Sequence, residues 1–186
     1  MEDTWTRKLI LRPGGVVRSV LKTPLSWADA ANLELKTRTE MIREQHRQIK
    51  GLTSELVIAP RLEGILEGIE DFSHIVVVYW PHFIPAARRA LLQVHPMGRK
   101  DLPQRGIFAT RSPARPNPLL ISTVRLLERN GNVLRVQALE AVDGSPILDI
   151  KPYTEIYQTV VNPRFPGWLR QIHRDLEEDT AEGHVS

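Results

Sequence analysis

Three prolines within six residues constrain this chain more than any other local feature. Pro113, Pro116 and Pro118 each fix their own φ and restrict the preceding residue, so this stretch can form neither a helix nor a regular sheet strand. The short apolar run before it, 106–110, contains an aromatic residue and predicts a buried strand. We therefore expect a strand that ends in a stiff loop, which carries the polar groups of Arg111, Arg115 and Asn117.

A rigid loop with arginine side chains suits the recognition of a carboxylate or a phosphate, because the guanidinium fork matches both anions. Loops held on a rigid scaffold often carry function. An ordinary surface turn with solvated arginines explains the same residues equally well. The residues of the loop alone leave both interpretations open.

The rest of the chain is rich in strand and turn signals. Residues 75–80, Ile-Val-Val-Val-Tyr-Trp, form an apolar run typical of a strand buried on both faces. The pair Asn130-Gly131 is a strong hairpin signal between the segments 121–127 and 133–139. Further strands are predicted at 16–21, 54–59, 90–94 and 147–150, with a tight turn at Asp143-Gly144. The pattern predicts a mainly β fold, an antiparallel β-barrel that is closed or nearly closed.

Two helical segments accompany the predicted barrel. The first, over 27–50, has an apolar stripe formed by Leu35, Ile42 and Ile49. The second follows a proline-rich linker and is predicted to dock on the barrel or on a partner through Trp168, Leu169, Ile172 and Leu176. We expect a barrel domain over 1–160 with a helical insertion at about 26–50, and a C-terminal helix with an acidic tail over 161–186.

The charge is weakly positive overall but unevenly distributed. Lys and Arg number 25 against 22 Asp and Glu, a formal charge of +3 that is too small to indicate nucleic-acid binding. Between 99 and 115 the only acid is Asp101, whereas the cations are Arg99, Lys100, Arg105, Arg111 and Arg115. This stretch is a candidate anion site. The basic loop 95–104, which overlaps it, is predicted to be mobile, and the acidic end of the chain to be a solvated tail.

Several function classes lack the residues they need. The chain has no cysteine, which excludes disulfides, thiolate metal sites and cysteine nucleophiles. It has no Gly-x-Gly-x-x-Gly after a strand, no P-loop and no nucleophile elbow, and its six histidines lack metal-ligand spacing, so no metal site is predicted. No apolar run approaches the roughly 20 residues of a membrane span, and the start lacks the apolar core of a signal peptide. We expect a cytoplasmic protein with no membrane partner.

Two long motifs carry a resemblance to a known family. They are Gly-Ile-Phe-Ala-Thr-Arg-Ser-Pro-Ala-Arg-Pro-Asn-Pro at 106–118 and Val-Asp-Gly-Ser-Pro-Ile-Leu-Asp-Ile-Lys-Pro-Tyr at 142–153, with shorter matches at 71–75 and 15–19. Together they resemble the TsaA-like (TrmO) family of S-adenosylmethionine-dependent methyltransferases, which are built on a β-barrel. Its best-known members methylate the exocyclic amine of threonylcarbamoyl-adenosine beside the tRNA anticodon. The resemblance implies this fold, this cofactor, tRNA as a partner and a homodimer.

The resemblance also implies a set of binding residues. The positions that match the family's cofactor site are His82, Phe83, Arg111, Ile121, Glu140, Ala141, Val142 and Asp143. Arg111 would anchor the methionyl carboxylate, the turn 140–143 would hold the ribose or the adenine, and His82 and Phe83 would flank the adenine. The methyl acceptor would meet the basic and proline-rich loops through Arg99, Arg105, Arg115 and Asn117. No catalytic residue is identified.

The same residues have ordinary structural explanations. His82 suits a solvated strand end, Asp143 suits a turn before glycine, and the apolar positions Phe83, Ile121, Ala141 and Val142 suit core packing. The function also has alternatives: a non-catalytic S-adenosylmethionine-binding regulatory module, a small-molecule methyltransferase, and an RNA-binding protein without cofactor.

The chain departs from the family at the proline loop. Many members have Asn-Pro-Ile-Gly-Leu-Ser where residues 117–122 read Asn-Pro-Leu-Leu-Ile-Ser. Leu120 thus replaces a glycine and is expected to crowd the pocket or to alter a close backbone approach. Glu140 stands where an aspartate is common. Longer members continue into a second domain that helps to hold tRNA.

Overall fold

The computed structural model describes residues 9–24 and 35–177. Six strands close into an antiparallel barrel in the order β1-β2-β7-β6-β3-β8, and two short strands, β4 and β5, form a separate ribbon. The strands are β1 Gly15–Arg18, β2 Thr53–Ile58, β3 His74–Tyr79, β4 Gln93–Val94, β5 Arg105–Gly106, β6 Leu120–Asn130, β7 Val133–Gln137 and β8 Pro146–Pro152. The predicted antiparallel β-barrel is confirmed.

Strand β3 lies between β6 and β8 and is the apolar run seen in the sequence. Its residues Ile75, Val76, Val77 and Tyr79 are at most 6% exposed, which confirms the prediction of a strand buried on both faces. The interior of a small barrel is filled by side chains from all its strands. Here the other strands and their connections contribute Val17, Leu56, Ile58, Leu66, Val124, Leu126, Leu134, Val136, Leu139, Ala141 and Ile147.

The two predicted tight turns are present. Gly131 and Asn132 connect β6 to β7, and Gly131 has a φ of 56°, the left-handed conformation that this hairpin turn requires. The second turn runs from Val142 to Ser145, with a hydrogen bond of 3.0 Å from the Ser145 N–H to the Val142 carbonyl. Gly144 has a φ of 78° there, which favours glycine at this position.

Helix α1, Leu35–Gly51, confirms the predicted insertion after β1, while the predicted helical residues 27–34 lie outside the described residues. A single turn of helix, α2, covers Glu155–Gln158, and α3, Gly167–Glu177, confirms the C-terminal helix. Helices α1 and α3 pack together. Each has one almost fully buried isoleucine, Ile42 and Ile172.

In the described part of the chain, neither long helix is apolar enough to cross a bilayer.

Three predicted strands are shorter in the structure. The apolar run 106–110 is not a strand beyond Gly106, because 107–109 forms a 3₁₀ turn that buries Ile107 and leaves Phe108 exposed. The strand predicted at 90–94 is reduced to β4 because 86–90 forms another 3₁₀ turn. Strand β1 ends at Arg18, since the next N–H, that of Ser19, binds the Asp143 carboxylate instead of a neighbouring strand.

Candidate cofactor site at one end of the barrel

The candidate cofactor residues lie near one end of the barrel because the strands are antiparallel. The last residue of β3, Tyr79, pairs with Leu120 at the start of β6 and with Ile147 near the start of β8. The start of β8 also pairs with β1, so the residues that follow β1 reach the same end. The connections before and after these strand ends therefore meet there, although they are far apart in sequence.

His82 and Phe83 form a shelf against the turn at 142–145. Their rings are 4.2 Å apart between centroids, and His82 Nδ1 is 3.4 Å from the hydroxyl oxygen of the buried Ser145. A Cβ placed on Gly144 would lie 3.7 Å from His82 Nε2, so the imidazole rests almost directly on the turn. Phe83 is 52% exposed. The core-packing explanation therefore fails for Phe83, whose open face is available to a flat ligand.

Asp143 fastens this turn to the end of β1. Its carboxylate accepts hydrogen bonds from the Ser19 backbone N–H at 2.9 Å and from Lys22 Nζ at 2.8 Å. The hydrogen bond from Lys22, and after it that from Ser19, lower the pKa of Asp143 below its ordinary value. Two backbone bonds, Asp143 N–H to the Leu21 carbonyl and Gly144 N–H to the Val17 carbonyl, support the same junction. Both carboxylate oxygens thus already have a structural partner.

Arg111 lies beside a buried tyrosine that the sequence did not single out. The Arg111 side chain is exposed and donates from Nη2 to the Ile121 carbonyl at 3.0 Å. The Tyr79 hydroxyl is 3.5 Å from the Ser122 hydroxyl. Burial first, and then the charge of Glu140, raise the pKa of Tyr79 to about 12, against the lowering effects of the Ser122 hydrogen bond and the charge of Arg111. Arg111 and Glu140 are therefore both within electrostatic reach of Tyr79, which remains a neutral hydrogen-bond donor.

The apolar site positions divide between core and surface. Ala141 is 1% exposed and belongs to the barrel core. Ile121, by contrast, is 50% exposed on β6, so its side chain is free to contact a ligand. Leu120, the residue that replaces the family's glycine, packs against the core. That Leu120 crowds the pocket or alters a close backbone approach stays a prediction.

Arg99 occupies a different environment from the one predicted. It is 3% exposed and forms ion pairs with Asp101, at 2.6 Å, and with Asp175 on α3. These carboxylates, Asp101 first, raise the pKa of Arg99. The loop 95–104 is also packed, with Leu102 buried and its carbonyl 2.7 Å from His95 Nδ1. This geometry gives Arg99 a structural ion pair, and we do not retain it among the proposed substrate contacts.

The other predicted substrate residues differ in how many of their polar groups are already hydrogen-bonded within the protein. Arg115 donates to the carbonyls of Ser112 and Thr110 at 2.8 and 2.6 Å, which braces the proline loop. Arg105 is half-buried, with one long bond of 3.4 Å to the Gln104 carbonyl, and Asn117 is exposed. The rigid loop predicted from its prolines is thus also held by Arg115, and Arg111 is left as its candidate anion-binding side chain.

Near this turn lies an open groove of about 520 Å³ along β1 and β2. Its cations are already paired with acids: Arg18 with Glu55 at 3.8 Å, Lys22 with Asp143, and Arg135 with Glu128 at 3.2 Å. The groove therefore offers little unpaired positive charge. Within residues 9–24 and 35–177, no group of three or more histidine and carboxylate side chains is placed to hold a metal ion.

Comparisons with known proteins identify the family of this chain. A family model described as the tRNA-methyltransferase O N-terminal domain matches residues 34–159. A probable S-adenosyl-L-methionine-binding protein of Pyrococcus abyssi is 37% identical over 172 residues, which make up 92% of this chain and 82% of that protein. The tRNA (adenine(37)-N6)-methyltransferase of Mus musculus is 31% identical over 66% of this chain and 26% of its own length.

Solved structures share the fold. A crystal structure of TrmO from P. aeruginosa matches with a TM-score of 0.61 and 26% sequence identity, and the match covers 87% of this chain. The same match covers 62% of the TrmO chain, so this protein spans less than two thirds of that relative's length.

Proposed function

We propose that this chain, which belongs to the tRNA-methyltransferase O N-terminal domain family, is an S-adenosylmethionine-dependent methyltransferase. Its proposed acceptor is a nitrogen of a modified adenosine in tRNA, close to the anticodon. The observation that carries the proposal is the convergence at one barrel end of an exposed arginine, an aromatic shelf and a glycine turn, built from Arg111, His82 with Phe83, and 142–145. Each of these elements suits one part of the cofactor.

The residues fit S-adenosylmethionine by the chemistry of its parts. A guanidinium has five N–H donors, so the single bond from Arg111 to the Ile121 carbonyl leaves donors for the methionyl carboxylate. The exposed face of Phe83 suits the flat adenine, and Glu140 with the turn that follows it would hold the ribose or the adenine edge. Ile121 would supply an apolar wall. Ala141 and Asp143 would act through the turn, since one is buried and the other is bonded to Ser19 and Lys22.

Positioning is the main catalytic contribution that these residues can make. S-adenosylmethionine supplies an electrophilic methyl group when it is bound. No covalent bond to the protein is needed, so the chain acts by fixing the cofactor and the acceptor relative to each other. The proline loop, braced by Arg115, supports such positioning because it cannot easily change shape.

Two further features of the working protein are part of this proposal. We expect a homodimer, and the exposed apolar residues after β8 offer a surface for one: Ile156, Tyr157, Val160 and Val161 are all at least 70% exposed. We also expect the cytoplasm as the location, because a tRNA acceptor is found there.

A labelling experiment tests the function. The protein and methyl-labelled S-adenosylmethionine are incubated with tRNA from a strain that lacks this modification, and in parallel with a small-molecule extract. We expect label in tRNA, at the nucleoside beside the anticodon. Label that enters only the small-molecule fraction would replace this proposal with a metabolite methyltransferase on the same barrel.

A non-catalytic S-adenosylmethionine-binding module is the second candidate function, favoured by the name of the Pyrococcus relative, which specifies binding alone. Calorimetric titration separates the two. Cofactor binding without label transfer to any acceptor would favour the binding module. Salt-dependent tRNA binding with no affinity for the cofactor would instead indicate an RNA-binding protein.

A further inference from the structure

The most exposed aromatic ring of the proline loop region has no partner in the site described above. Phe108 is 81% exposed, in the 3₁₀ turn 107–109 that leads to Arg111. Leu92, whose carbonyl accepts the Ile107 N–H, is also 80% exposed. Exposed apolar side chains grouped in this way beside a candidate active site suggest a contact surface.

The backbone that carries this ring is held on both sides. Ile107 is 5% exposed and donates its N–H to the Leu92 carbonyl at 2.9 Å, which anchors the turn to the β4–β5 ribbon. The Thr110 hydroxyl donates to the Ile107 carbonyl at 2.9 Å, and Arg115 donates to the Thr110 carbonyl. The ring of Phe108 is thus presented from a fixed turn.

The sequence around Phe108 is strongly cationic. Between residues 72 and 127 the only acid is Asp101, which is bound to the buried Arg99. The same interval contains the cations Arg88, Arg89, Arg99, Lys100, Arg105, Arg111, Arg115 and Arg125. In the described part of the chain, no ion pair joins Arg88, Lys100 or Arg105 to an acid. This part of the protein therefore favours a polyanion.

An exposed ring with cations close to it in the chain is a combination with which proteins bind unpaired nucleotides. The ring stacks on a base, and the cations contact the phosphates. Phe108 is three residues from Arg111, so their Cα atoms are no more than about 11 Å apart. Arg105 precedes Phe108 by three residues on β5. A second copy of this chain fits the same surface poorly, because a twofold contact would bring two cationic surfaces together.

We propose that Phe108 is a stacking platform for an unpaired base of the RNA acceptor, next to the base that is methylated, and that Arg105 contacts the adjoining phosphate. This inference rests on the proposed function and names the form of RNA that the site accepts: a loop or a single strand, not a duplex. It also gives the barrel domain its own means of holding RNA.

The test compares variants of the full chain on two RNAs. One is a stem-loop with 2-aminopurine in its loop, and the other is a duplex of equal length. The variants are Phe108→Ala, Phe108→Trp, Arg105→Ala and, as a matched control, Ile65→Ala. Ile65 is 69% exposed, also in a 3₁₀ turn, and follows β2 at the opposite end of the barrel.

We expect Phe108→Ala to weaken stem-loop binding by about 5- to 150-fold and to remove the quenching of 2-aminopurine. Duplex binding and S-adenosylmethionine affinity should stay unchanged. Phe108→Trp and Ile65→Ala should behave as the unmodified protein. Arg105→Ala should reduce the slope of log K against log salt by about 0.7 on the loop RNA.

Other outcomes overturn the inference and separate it from the proposed function. If Phe108→Ala binds and methylates the stem-loop normally, the stacking role is wrong and the methyltransferase proposal stands. If the unmodified protein binds cofactor but no RNA, both proposals fail. If Phe108→Ala converts a dimer into monomers in sedimentation, the ring is a subunit contact and not a base platform.

Discussion

Replacing Arg99 tests whether this residue of the loop 95–104 is structural, as its buried ion pairs indicate, or contacts the substrate. Replacement of Arg99 by alanine removes three N–H contacts to Asp101, at 2.6–3.2 Å, and one to Asp175, which joins the loop to α3. The buried stem of the side chain is lost as well. We therefore expect Arg99→Ala to destabilise the folded protein and to leave any RNA surface almost unchanged.

The magnitude follows from the exposure of the three groups. Breaking a fully buried ion pair costs about 3–5 kcal/mol, because the remaining charge stays buried and unpaired. Here Arg99 is 3% exposed, but the Asp101 and Asp175 side chains are 38% and 30% exposed, so water can solvate both after the change. We expect a loss of about 2–3 kcal/mol in the free energy of unfolding, which corresponds to roughly 4–12 °C in Tm for a chain of this size.

Thermal and urea unfolding of Arg99→Ala and Lys100→Ala provide the measurement and its control. Lys100 is the exposed neighbour, and its replacement should change stability by no more than about 0.5 kcal/mol. A double-mutant cycle with Asp175→Ala should show that the two effects are coupled. If Arg99→Ala is as stable as Lys100→Ala and yet binds RNA more weakly, Arg99 is a substrate contact, as the sequence predicted, and the structural assignment is wrong.

Three further predictions concern the cofactor site. Arg111→Ala should weaken S-adenosylmethionine binding by about 1.5–3 kcal/mol in calorimetry, whereas Arg125→Ala, an exposed change elsewhere on β6, should not; equal effects would argue against Arg111 as the anchor. Asp143 has a pKa lowered from 3.8, so its contribution to stability is complete above that value and is lost as the pH falls through the lower folded-state pKa. The Tm difference between the unmodified protein and Asp143→Asn should therefore shrink as the pH is lowered from about 4, and a constant difference would contradict this. Gly144→Ala should cost about 1–2 kcal/mol of stability, because φ is 78° there; an unchanged unfolding midpoint would show that the turn can relax.

The barrel could be predicted from the sequence because its signals are local. The apolar run 75–80, the Asn-Gly hairpin at 130–131 and the glycine turn at 143–144 each specify one strand or turn, and their order favours an antiparallel barrel. The prediction of a strand over 106–110 was wrong, because the apolar residues of this run resemble those of a buried strand. In the structure its neighbour β4 has only two residues, so strand pairing ends at Gly106.

The site was only partly predictable, because several of its contacts join distant segments. Tyr79 reads as one residue of a core strand, and its closeness to Arg111 and Glu140 depends on the barrel closing. Asp143 reads as a turn residue, and nothing near it in sequence indicates the bonds to Ser19 and Lys22, more than 120 positions earlier. The family motifs pointed to Asp143 but not to Tyr79, and they did not distinguish residues that contact a ligand from residues that hold the turn.

The arginines of this region show the same difference between residues that hold the fold and residues that are available to a ligand. A guanidinium has a structural role where neighbouring carboxylates or carbonyls accept its N–H groups. Arg99 binds two carboxylates in this way, and Arg115 binds two loop carbonyls. Arg89 binds the Ile84 carbonyl and lies 5.0 Å from the centre of the Trp80 ring. Arg111 and Arg105 have one carbonyl each, so most of their donors are left for a ligand. The loop therefore uses some of its positive charge to fix its own shape and keeps the rest for anions. On this basis Arg111 suits the cofactor carboxylate, and Arg105, beside the exposed Phe108, suits the phosphates of an RNA acceptor.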